Sequence, residues 1–123
     1  LNITGLSLSA LNKKGKHEKN VTKARQLCVS FTVAPNNTAS PGHKTFYVRI
    51  QNPEGAVLGG GTSCNYQGTS VACTAAHSYE YANTELHCTL YWDVNTTLTP
   101  GSYRVDVFCD GNRLSSASFT LSK

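Results

Sequence analysis

The sequence predicts an all-β domain, an antiparallel immunoglobulin-like β-sandwich of about seven to eight strands. Three observations predict it. Runs that alternate apolar with polar residues recur along the whole chain, at intervals of about ten to fifteen residues. Clusters of Asn, Pro, Asp and Gly separate those runs. Charged residues make up only 15% of the chain, and Leu, Ala, Lys and Glu rarely gather into a run with a 3.6-residue period, so no helix is expected.

ITGLSLSAL (3–11) alternates Leu6 and Leu8 with Ser7 and Ser9, the pattern of a half-buried strand. RQLCVSFTV (25–33) places Leu27, Val29, Phe31 and Val33 on one face and Gln26, Cys28, Ser30 and Thr32 on the other. After the turn cluster NNTASPG (36–42), KTFYVRIQ (44–51) directs Phe46, Val48 and Ile50 inward. Its outward row, Tyr47, Arg49 and Gln51, is a candidate partner face. NPEG (52–55) is a turn with Pro pre-set at the second position, and Gly59–Gly61 are expected to be mobile or to take backbone angles other residues avoid.

SCNYQGTSVACTAAHSYEY (63–81) reads as a hairpin, and TELHCTLYWD (84–93) sets Leu86, Cys88, Leu90 and Trp92 on one face. In LTPGSYRVDVFCDGNRLSSASFTL (98–121), Tyr103, Val105, Val107 and Cys109 share a face. Asp110-Gly111 there closes a tight turn that needs positive φ, and the partner strand covers 113–121.

A chain of 123 residues fits one domain, able to hide about two-thirds of its unfolded surface. It contains no Met, so it is expected to be excised from, or processed out of, a longer chain. No run is apolar enough to span a membrane, so any membrane attachment is expected through a segment outside this sequence.

Five cysteines, at 28, 64, 73, 88 and 109, have no zinc-type spacing, and no cofactor signature is present. A two-residue turn at Gly68-Thr69 would set Cys64 opposite Cys73, where a disulfide fits, and would favour an oxidising compartment. Cys88 and Cys109 read as packed thiols and Cys28 as the odd one. Sequons at Asn2, Asn20, Asn36 and Asn95 are weak evidence in a chain this rich in Asn, Ser and Thr. Cys73 and His77 lie about 13 Å apart along an extended strand, and His87 points away from its neighbour Cys88. With no paired acids either, the chain reads as non-enzymatic.

KKGKHEKNVTKAR (13–25) is the most charged stretch, with a net charge of +5 in a chain of +4. Lys13, Lys14, Lys16, Lys19, Lys23 and Arg25 could together meet a glycan, an anionic lipid or nucleic acid. The stretch lacks aromatics for base stacking, and Gly15 and Asn20 break any helix that would align the charges. The expectation is therefore a solvated connection, with polyanion binding as the second reading and nucleic acid disfavoured as a partner.

Three segments, KGKHEKNVTKARQLCVSFTVAPNNTASPGHKTFYVRIQNPEGAVL, YEYANTELHCTLYW and LTPGSYRVDVFCDGNRLSSASFTL, carry a resemblance to a family. The chain resembles the C-terminal β-sandwich domain of uncharacterised bacterial envelope proteins, in which an anchor and a coiled coil precede the domain. The resemblance implies a periplasmic or cell-surface placement and a structural or binding module whose partner is another protein or envelope component. It supplies no catalytic or binding residues.

Overall fold

The structure, a computed structural model, describes residues 1–123 and is all-β, with nine strands in three antiparallel sheets and no α-helix. The first sheet has the order β1 (Ile3–Leu11), β2 (Gln26–Val33), β7 (Leu86–Asp93). The second has the order β6 (Ala75–Tyr81), β3 (Gly42–Gln51), β8 (Gly101–Cys109), β9 (Asn112–Leu121). β4 (Thr62–Tyr66) and β5 (Thr69–Cys73) form a separate hairpin.

Alternation explains the main core. Leu27, Val29, Phe31 and Val33 of β2 and Cys88, Leu90 and Trp92 of β7 face Phe46, Val48 and Ile50 of β3 and Tyr103, Val105 and Val107 of β8. Each fully buried aliphatic side chain contributes roughly 1.5–3 kcal/mol. The Phe31 and Phe46 rings meet across the two sheets at 5.4 Å. Tyr79 of β6 ties the second sheet to β7, since its hydroxyl donates to Thr89 O at 2.8 Å and accepts from Thr89 N at 2.9 Å.

The glycine-rich stretch belongs to this core. Leu58 N donates to Ile50 O at 2.8 Å, and its side chain is buried. Gly59 has φ +74°, and a Cβ there would lie 2.9 Å from Trp92 Nε1, so the indole packs on bare backbone. Asp110 (φ 52°) and Gly111 (φ 79°) make the expected tight turn between β8 and β9.

The strand count exceeds the expected seven to eight because 63–81 holds three strands. Thr74 is where the chain changes sheets. Its N–H donates to Val48 O at 2.8 Å, and its hydroxyl accepts from Ile50 N at 2.9 Å. Before Thr74 the chain covers the second sheet, and after it the chain becomes that sheet's edge strand β6.

The β4–β5 hairpin lies on the outer face of the second sheet and makes a small second core. Cys64, Cys73 and Phe108 are buried there, with Tyr47, Tyr66 and Val71 packed around them. β8 therefore buries both of its faces over Val105–Cys109, where simple alternation predicts one wet face.

Candidate functional site

Two basic regions stand out. The first is the excursion between β1 and β2. Asn12 builds its tip: the Asn12 carboxamide oxygen accepts from Lys14 N at 2.8 Å and Lys16 N at 3.1 Å, and its carbonyl accepts from Gly15 N at 2.9 Å. No α-helix forms in the excursion, and Asn20 caps the short turn that follows it. Its side-chain oxygen accepts from Thr22 N at 3.0 Å and starts the single 3-10 turn Val21–Lys23. Val21 and Ala24 are buried in the main core, and Val21 N donates to Ser122 O at 2.8 Å beyond β9. The expectation that Gly15 and Asn20 prevent a fixed display is thus corrected, because local hydrogen bonds and two buried anchors hold the backbone.

Lys13, Lys14, Lys16, Lys19, Lys23 and Arg25 are all exposed on that scaffold. None of them lies within salt-bridge distance of a carboxylate; every such contact of Lys or Arg in the chain belongs to Lys44, Arg49, Arg104 or Arg113.

The second region was not legible in the sequence. Three of the chain's four arginines converge on Asp106, whose side chain is 0% exposed. Arg49 of β3 donates through Nε at 3.2 Å and Nη2 at 3.0 Å to Asp106 Oδ2. Arg104 donates through Nε at 3.3 Å to Oδ1. Arg113 of β9 stands 3.9 Å from Oδ1 and 6.0 Å from the Tyr66 ring centre. Cross-strand register brings them together, with Arg49 opposite Asp106 and Arg113 opposite Phe108. The Arg49 guanidinium also sits 5.2 Å from the Phe108 ring centre.

This geometry corrects the partner-face expectation for Tyr47, Arg49 and Gln51. All three are half-buried: Tyr47 packs under the hairpin, Arg49 is spent on Asp106, and the Gln51 amide donates to Gly55 O at 3.3 Å. The expected Cys64–Cys73 disulfide is corrected too, since all five cysteines are free thiols. The turn uses Gln67-Gly68 in place of Gly68-Thr69, so Cys64 pairs with Val71 and Cys73 with Thr62. The two thiols still meet diagonally, with sulfurs 3.2 Å apart.

Nucleophilic chemistry has poor footing in these thiols. Burial pushes the Cys73 thiol up to about 12, helped by its hydrogen bond to Cys64, and the Cys88 and Cys109 thiols up to about 11. They are protonated at neutral pH. His87 is hydrogen-bonded to Thr32 at 3.0 Å and faces Glu85 at 3.2 Å, and His77 stacks edge-on with Tyr79 at 4.7 Å. No three His, Cys, Asp or Glu side chains cluster as metal ligands would.

No curated protein matches the chain. Among solved structures, the chain is similar to the alkylpurine DNA glycosylase AlkC of Pseudomonas fluorescens, bound to DNA containing an abasic site analog. The TM-score is 0.57 at 20% identity, over 99% of this chain and 30% of that one. The chain thus spans about 30% of that protein's length, and the likeness is one of fold. It overturns two expectations, the cell-envelope module with an envelope partner and the disfavouring of nucleic acid, because this fold forms part of a protein solved on DNA. A family model covers residues 4–122, and the chain belongs to that family, a domain of unknown function (DUF8428).

Proposed function

We propose that the chain is a DNA-binding domain that grips the phosphate backbone through the excursion Lys13–Arg25. The observation that carries this reading is six exposed cations, none of them paired to a carboxylate, on a hydrogen-bonded scaffold. Phosphate contacts need several cations that reach a polyanion together, and a held backbone supplies that arrangement at low entropic cost. The fold likeness to part of a DNA-bound glycosylase supports the choice of DNA over glycan or lipid. The two large facing sheets support an immunoglobulin-like description of the scaffold. The reading is one of binding, and the buried Cys73, Cys88 and Cys109 thiols, pushed up by burial, have no part in it.

Fluorescence anisotropy on duplex DNA, with and without an abasic-site analogue, tests this. The variant K13Q/K14Q/K16Q/K19Q should bind more weakly than the parent at about 0.15 M salt. The slope of log K against log salt should shrink by about one per lysine that touches a phosphate. An unchanged slope, or a parent that binds no DNA below about 0.1 M salt, would refute the reading.

A further inference from the structure

We propose that Arg104 and Arg113 form a preorganised phosphate-binding site on the outer face of the second sheet, with Asp106, itself held by Arg49, as the group that gathers them. Burying one carboxylate explains one arginine. Arg49 alone covers Oδ2 with two charge-assisted hydrogen bonds, from Nε and Nη2. A third guanidinium at 3.9 Å adds little to the pairing, yet it brings another full charge to the same spot. Asp106 is the one carboxylate within 4.0 Å of the three, so two positive charges remain uncompensated.

The unused donors face water. Arg104 makes one hydrogen bond and Arg113 none within the chain, although a guanidinium carries five N–H groups. Their side chains are 48% and 40% exposed. Ser118 stands opposite Arg104 and Ser116 opposite Asp106 across the β8–β9 pair, so exposed hydroxyls border the guanidiniums. An oxyanion with several acceptor oxygens matches that set of donors. Asp106 holds the arginines in place beforehand, so less side-chain freedom is lost on binding.

The site also extends the basic excursion. Lys19 lines a shallow cleft with His17, Glu18 and Thr120 near the end of β9, and the Glu18 carboxylate there accepts from Asn20 N. Thr120 is two residues, about 7 Å, from Ser118 along that strand. A polyanion laid along β9 would meet Lys19 and then Arg104. As a contact to nucleic acid the site rests on the DNA-binding reading; as a site for phosphate it does not.

Two measurements separate those claims. In the first, inorganic phosphate is titrated into the parent while the arginine Nε–Hε signals are followed by NMR. Shifts should concentrate on Arg104 and Arg113. In the second, R104Q/R113Q, which leaves Arg49 on Asp106, is compared with the parent on duplex DNA across salt. Affinity should drop by at least about tenfold, with the log–log slope smaller by about two. A melting temperature near the parent's shows that the variant folds; for a variant that unfolds, R104K/R113K takes its place, which keeps the charge and should restore part of the binding. Phosphate shifts in a parent that binds no DNA would uphold the site and sink the DNA reading. DNA binding that R104Q/R113Q leaves intact, with no phosphate shifts, would sink the site and leave the DNA reading standing. Absence of both phosphate shifts and DNA binding would overturn both.

Discussion

The two basic regions of this molecule are built in opposite ways. The excursion collects its cations from consecutive sequence, Lys13 to Arg25, and pairs none of them with a carboxylate. The arginine cluster collects its cations from positions 49, 104 and 113 and fastens them to one buried acid. The first costs the fold little, because exposed charges stay hydrated. The second is tied to the fold, because Asp106 is tolerable inside only while its partners surround it. Charge density along a chain is visible in sequence; convergence across strands appears only after register is set.

The largest expected effect tests the cover over the cluster. Phe108 is buried beneath the hairpin, 5.4 Å from Tyr66 and against Arg49. Phe108→Ala should destabilise by roughly 3–5 kcal/mol in urea denaturation. A loss under about 1 kcal/mol would mean that the hairpin does not close on the sheet in solution, and the contrast between a fastened region and a free one would weaken.

Asp106→Ala comes next. It leaves three guanidiniums crowded together without their common partner. We expect about 1.5–3 kcal/mol, the scale of hydrogen bonds to a charged group. That is less than the 3–5 kcal/mol or so for breaking a wholly buried pair, because the guanidiniums left behind are partly in water. A neutral result would show that the arginines are not held by the carboxylate.

These expectations also mark what was legible in sequence. The inward rows of β2, β3 and β7 follow from alternation alone, and Asp110-Gly111 announces its turn. Three things did not follow. Gln67 takes φ 51°, which its residue type does not advertise, and Asn65 Oδ1 supports the turn by accepting from Gly68 N at 2.8 Å. That moved the hairpin register and the cysteine pairing with it. The hairpin then folds over the outward rows of β3 and β8, so Tyr47, Arg49, Asp106 and Phe108 alternate like surface residues but are covered. No local pattern signals a cover that comes from elsewhere in the chain. Two of the four sequons have a local structural use: Asn20 and Asn36 each accept from the backbone N–H and hydroxyl of the Thr two residues on.

A smaller effect should come from pH. The Cys73 thiol, raised from 9.0 to about 12 by burial between the hairpin and the second sheet, is protonated in the fold and ionises more easily when unfolded. A raised folded pKa gives stability that is full below pH 9 and is lost as pH rises toward about 12. The parent should therefore lose more stability than Cys73→Ala between pH 8 and pH 11 or so, measured by urea denaturation at each pH. Equal losses would show that Cys73 is open to water and the hairpin loose.

The smallest effect belongs to the excursion. K13Q/K14Q/K16Q/K19Q removes four charges whose side chains are exposed and have no salt-bridge partner, while the groups that hold the backbone stay in place: Asn12, Asn20, Val21 and Ala24. Exposed substitutions of this kind usually change stability by less than about 0.5 kcal/mol. Relief of mutual repulsion among the lysines should push the small change toward stabilisation, and added salt should shrink it. Thermal denaturation at about 0.02 M and 0.5 M salt measures both. A melting temperature well below the parent's at either salt would mean that the lysines support the fold, and the excursion would then join the arginine cluster as a fastened structure, not a free one.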